Sequence, residues 1–274
     1  LTSPSNQTPY RRHPVRWLGV LAILLGSLPA LASQSLTLRL GALNNVDYLA
    51  ELLTRVLQDD GLVVDVITIP GIPTTRLERM LEQGAISAML LGETPARNQR
   101  LLPIYVEMTD NLMNQRILFI PRGQQERYSR VHTLEDFRAL GVVAGMGSDW
   151  RDLQIWQANN LPVTSISGDW RRLYEMLASG GRGIDYLPRG AMEMAGEWSL
   201  HRKLQMEEKL VLVYPHDHIL YISPQHPELH ARLARLLPQA HASGLIRQLA
   251  HKHFQAVFKA PVNLQQRRVI HLTE

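Results

Sequence analysis

The chain has 274 residues, a formal net charge of +4, no cysteine and 45% apolar residues. That composition excludes disulfides, thiolate metal sites and cysteine nucleophiles, while the apolar share is ample for an ordinary hydrophobic core. Residues 1–32 hold Arg11, Arg12 and Arg16 and no acidic residue, so the other 242 carry only +1, leaving no basis for a nucleic-acid surface.

In chain order, a basic segment around Arg11, Arg12 and Arg16 precedes the apolar run from Trp17 to Leu25, and Ala30-Leu31-Ala32 follows. This is the pattern of a secretory signal peptide over 1–32. Its apolar stretch falls short of the roughly 20 residues a spanning helix needs. Alternation over Leu36–Leu40 predicts a strand. Val46, Leu49, Leu52, Leu53, Val56 and Leu57 predict a helix, with Asn44 or Asn45 as its cap. Leu62–Ile69 is a β-branched strand, Thr74–Leu81 a helix and Ala85–Leu91 a third strand. The alternation implies right-handed crossovers and a parallel sheet. It restarts at Gly141–Ala144, Trp150–Ala158, Val163–Ser165, Trp170–Leu177 and Ile184–Leu187. Arg116–Ile120 and Ile219–Ile222 are candidate crossings between two units, and helices over Pro227–Leu237 and Gly244–Phe254 close the chain.

Leu134-Glu135-Asp136-Phe137-Arg138, Gly141 to Ser148, Gly183 to Gly190, Ile219 to Pro224, Gly244 to Leu249 and His253-Phe254 occur in an order and spacing that resembles the family 3 periplasmic solute-binding proteins, the polar amino acid type. The resemblance implies an α/β, two-lobed type II periplasmic-binding fold whose lobes are joined by two crossing strands. Residues 33–118 plus 220–274 would form lobe 1 and 119–219 lobe 2. It further implies a monomer in the periplasm that holds a small polar solute between its lobes for an ABC permease or a membrane sensor. No cofactor, metal or nucleic acid is implied.

The same resemblance places ligand contacts. Arg97 stands where the amino acid binders grip the ligand carboxylate, a task suited to the guanidinium fork; Arg100 competes for it. Gly147 and Ser148 stand where backbone N–H groups and a hydroxyl complete that site at a helix start near Asp149 or Trp150. Position 190, where these binders carry the acid that takes the ligand ammonium, is a glycine preceded by Arg189. Arg97 and Arg189 together would favour a ligand with two anionic ends. Tyr48 and Tyr105 are candidate cleft walls. His216 and His218 share a strand face, but no third metal ligand is evident nearby.

Two other functions stay open. One is a sensory or interaction module without a small-molecule ligand. The other is a secreted dehydratase of the same fold, with Glu93 or Asp185 as general acid or base.

Overall fold

In the computed structural model, residues 1–3, 35–41, 45–148, 150–180 and 183–273 are described. Apart from its first three residues, the expected signal peptide lies outside them. No helix among the described residues is long and apolar enough to cross a membrane.

Strand β1 (Ser35–Gly41) buries Leu38 and Leu40 and pairs in parallel with β2 (Val63–Ile69), from Ser35 opposite Val63 to Gly41 opposite Ile69. Helix α1 (Val46–Asp59) connects them. Its apolar stripe, Leu49, Leu52, Leu53, Val56 and Leu57, is buried as its spacing predicts. After α2 (Thr74–Glu82), β3 (Ala88–Leu91) joins β1 in parallel. Strand β4 (Leu102–Ile104) follows the short α3 (Pro95–Asn98), and β11 (Ile219–Ile222) enters between β3 and β4, antiparallel to both. The first sheet thus runs β2-β1-β3-β11-β4. Strands β3 and β11 are buried along their whole length, which explains why both read as unbroken apolar runs. Helices α9 (Pro227–Ala242) and α10 (Leu245–His253) pack on this lobe against α1.

The second lobe is built on β5 (Gln115–Pro121), which pairs antiparallel with β8 (Leu187–Gly190), β9 (Leu204–Met206) and β10 (Leu210–Val213). A two-stranded parallel sheet of β6 (Ala144–Gly147) and β7 (Val163–Ile166) lies beside it, bridged at Ala144 and Tyr186. Its helices are α4 (Gln125–Tyr128), α5 (Leu134–Ala139), α6 (Asp152–Ala158), α7 (Arg172–Ala178) and α8 (Ala191–Glu197). Strand β6 begins three residues later than expected because Gly141, at φ +60°, still closes the turn after α5.

The connections depart from expectation. Arg116–Ile120 and Ile219–Ile222 lie inside the two sheets, so the passages between sheets are 105–114 and 214–218. They run side by side: Asn114 Nδ2 donates to Tyr214 O at 2.5 Å and Met108 N to His218 O at 3.1 Å. The chain then passes over once more. Strand β12 (Arg268–His271) pairs in parallel with β10 in the second sheet, so the end of 220–274 does not stay with the first lobe. Pairing there satisfies the edge of β10 and buries the Arg267 guanidinium, whose Nε donates to Val262 O at 2.7 Å and Nη1 to Leu210 O at 3.1 Å.

Candidate functional site

The lobes meet where β3 ends. Gly92 follows Leu91, and Arg151, just ahead of α6, faces it from the second lobe. A Cβ on Gly92 would lie 3.3 Å from Arg151 Cδ, 3.7 Å from its Nη1 and 3.9 Å from His218 Nε2. Residues of both lobes and of the 214–218 passage therefore converge on one point.

Behind that point, Asp152 opens α6 and takes the Arg116 guanidinium, with Nε to Oδ1 at 2.5 Å and Nη2 to Oδ2 at 3.2 Å. Arg116 also donates to Met113 O and to the Tyr214 hydroxyl. Arg116 and Arg151 stand 5.1 and 5.9 Å from the Tyr214 ring centroid, within cation–π range. Burial pushes the His218 imidazole down to about 3; Arg116, Arg151 and Arg97 act in the same direction and Asp152 opposes them. His218 is thus a neutral ring in a positive local potential.

The residues expected to hold ligand are placed differently. Arg97 is turned back onto its own lobe: Nε and Nη2 donate to Glu78 at 3.3 and 2.8 Å, and Nη1 to Gly92 O at 2.7 Å. Arg100 pairs with Glu82 on the surface. Gly147 is the buried end of β6. Ser148 spends its N–H on Ile166 O at 2.9 Å and its hydroxyl on Ser167 at 3.2 Å. Helix α6 starts only at Asp152, so Gly147 and Ser148 do not sit at its N-terminus.

Arg189 is 5% exposed and fully engaged. It donates Nε and Nη2 to Glu197 at 2.9 and 2.8 Å and pairs with Glu193 at 3.0 Å. Its guanidinium lies 4.3 Å from the Trp170 centroid and 5.4 Å from that of Trp150. Burial works against the Glu197 charge, yet Arg189 and the Tyr174 hydroxyl hold its carboxyl below the ordinary value. With Arg97 and Arg189 each neutralised inside the chain, the ground for a doubly anionic ligand is removed.

Tyr48 is a core residue, not a cleft wall. It is buried under His253 and Phe254, and its hydroxyl donates to Met108 O, anchoring the 105–114 passage to α1. Tyr105 is exposed at the start of that passage. Glu93 accepts from Asn98 at 2.9 Å, and Asp185 accepts from Val143 N and Arg127 at 2.9 and 2.8 Å. Both carboxylates are thus engaged within the chain. Two surface cavities, of about 820 and about 570 Å³, include none of the six expected residues in their linings.

Sequence reasoning missed Glu193. A Cβ on Gly190 would lie 3.0 Å from Glu193 Oε2 and 3.5 Å from Arg116 Nη1, and Glu193 Oε2 accepts the Gly190 N–H at 3.0 Å. The carboxylate expected at position 190 is therefore supplied from one helical turn downstream, folded back into the space the glycine leaves. The signal was present as a glycine followed three residues later by glutamate, the spacing at which a helix-start side chain reaches back to a free N–H.

Comparison with solved structures shows the fold. An amino acid ABC transporter substrate-binding protein from Streptococcus pneumoniae, bound to L-arginine, aligns with a TM-score of 0.53 at 9% identity, over 80% of this chain and 94% of that one. An ancestral arginine-binding protein bound to glutamine gives 0.51 at 14% identity, over 80% and 97%. An ancestral amino acid-binding protein described as a precursor of cyclohexadienyl dehydratase gives 0.51 at 15%, over 80% and 95%. No protein-family model and no curated protein matches the chain. The fold is that of the two-lobed type II periplasmic binding proteins, and the amino acid-binding members are what this chain is similar to.

Proposed function

We propose that the protein captures a small amino acid-type solute between its lobes, without chemistry, and presents it in the periplasm to an ABC permease or a membrane sensor. The observation that carries this reading is the convergence of Gly92, Arg151 and His218 from the first lobe, the second lobe and the passage between them. A solute bound there touches every part that moves in closure, so its binding energy favours the closed arrangement. The likeness to proteins solved with arginine and glutamine supports the solute class. Glu193, half-exposed and folded over Gly190, is the acceptor for a solute ammonium group.

A thermal-shift screen over L-arginine, L-lysine, L-histidine, L-glutamine and simple dicarboxylates tests it. Stabilisation by one of the amino acids, growing with the logarithm of its concentration, is the expected result. Small-angle scattering with that compound should show compaction. A second reading is a sensory or interaction module, favoured by the internal neutralisation of Arg97, Arg116 and Arg189 by Glu78, Asp152 and Glu197. A screen in which no compound stabilises the protein selects that module.

A further inference from the structure

We infer that the cavity of about 820 Å³ on the second lobe is a docking groove for an acidic peptide segment of a partner protein, one that also carries an apolar side chain. The groove shares no residue with the Gly92–Arg151–His218 point, so it serves with or without a bound solute.

Three observations carry this. The first is charge. Helix α7 brings Arg172 to the lining, and the turn ahead of β9 brings Arg202 and Lys203, all three exposed. Unlike Arg97, Arg116 and Arg189, none of them forms an ion pair among the described residues. Glu175 is the one carboxylate in the lining, so three cations against one acid leave an excess of two. Residues 33–274 carry only +1 altogether, which makes this a local concentration of positive charge.

The second is apolar surface. Leu200 borders the cavity at 71% exposure, and Trp198, at the end of α8, is 41% exposed beside it in sequence. Met176 and Ala178 of α7 extend the apolar lining. Large apolar side chains held in water and rimmed by cations mark a surface that a partner covers, and Trp, Met and Arg are the types such surfaces favour. The concavity suits an extended peptide; a flat lipid surface would leave it unfilled. Residues 1–32 hold three arginines and no acid, the wrong sign to fill it from within the chain.

The third is rigidity. Tyr174 and His201, both in the lining, stack with ring centroids 3.5 Å apart and planes 11° from parallel. The Tyr174 hydroxyl donates to Glu197 at 2.5 Å, and Arg189 holds Glu197 in turn. Arg122 Nε donates to Arg202 O at 2.5 Å, which pins the turn to the end of β5. A wall fixed in advance loses little freedom when a peptide docks.

Fluorescence anisotropy of the full chain with labelled peptides tests the groove. The probes are acetyl-Glu-Asp-Leu-Glu-Asp-amide, acetyl-Lys-Lys-Leu-Lys-Lys-amide, and the acidic peptide with glycine in place of leucine. The acidic peptide should bind saturably and more weakly as salt rises, and the lysine peptide should not bind. The triple variant Arg172→Glu, Arg202→Glu, Lys203→Glu should weaken the acidic peptide at least about tenfold and take up the lysine peptide instead. Leu200→Ser, and the leucine-free peptide, should each bind about tenfold more weakly. These side chains are exposed, so the urea midpoints of the variants should match the parent and separate lost docking from lost folding. Acidic-peptide binding that is unchanged in the triple variant, or no tighter than that of the lysine peptide, overturns the groove. Retention on vesicles of phosphatidylcholine and phosphatidylglycerol with no peptide binding also overturns it and gives the patch to a lipid surface. The peptides are titrated without solute, so this inference and the solute reading can each fail while the other stands.

Discussion

Two buried charges hold the passages between the lobes, and they are held in opposite ways. Asp217, fully buried on the 214–218 passage, accepts from Thr109 N and Oγ1, Asn111 N and its neighbour His218 N, at 2.5 to 3.3 Å. Its charge is met by dipoles of both adjacent passages, with no cation required. The C-terminal passage instead ends on Arg267 and Glu207, an ion pair at 3.7 Å with side chains 1% and 0% exposed. Glu207 also accepts from Lys209 N and Leu210 N, whereas Arg267 Nη2 has no partner among the described residues. Burial pushes the Arg267 guanidinium down to about 10. Asp217 thus ties the 105–114 and 214–218 passages together through their N–H and hydroxyl groups, whereas the third passage is anchored by a guanidinium seated against Glu207 and the carbonyls of Val262 and Leu210.

The largest effect should come from breaking the anchor. Arg267→Met strands the buried Glu207 carboxylate and should cost about 3–5 kcal/mol, read from the urea midpoint; a loss below about 1 kcal/mol would mean that the pair is incidental. Asp217→Asn should cost about 1.5–3 kcal/mol, since the amide turns an N–H toward donors that now lack an acceptor. The comparison fails if Asp217→Asn leaves the unfolding midpoint where it was.

Acid adds a third measurement. The folded-state pKa of His218, about 3, lies below its ordinary value of 6.5. The unfolded chain therefore takes up the proton first, and stability falls as pH drops from 6.5 toward 3. The slope from this group cannot exceed roughly 1.4 kcal/mol per pH unit. His218→Gln should flatten that limb relative to the parent protein, and parallel curves would show that His218 is not buried neutral. The smallest effect is Tyr48→Phe, which removes the hydroxyl bond to Met108 O and should cost about 1 kcal/mol in thermal unfolding.

Much of the fold was legible in the sequence because burial follows period. The stripe of α1 and the unbroken apolar runs of β3 and β11 each have one packing solution. The short elements were not legible: β9, β10 and β12 have three or four residues apiece, too few for a period to show. Arg97 and Arg189 stand out in the sequence by their charge, but a sequence states which residues carry charge and not which charges they meet.

The sequence by itself determined the layered α/β alternation and the absence of cysteine chemistry, because these follow from composition and local periodicity; two lobes were implied only by the family resemblance. Only the tertiary structure decided that Arg97 and Arg189 are neutralised by Glu78 and Glu197, that Glu193 occupies the space beside Gly190, and that Arg151 meets His218 at Gly92. Apart from Glu193, whose spacing from Gly190 is local, those outcomes depend on residues 8 to 126 positions apart being brought within a few ångströms, and a balance of desolvation and pairing leaves no trace in local pattern.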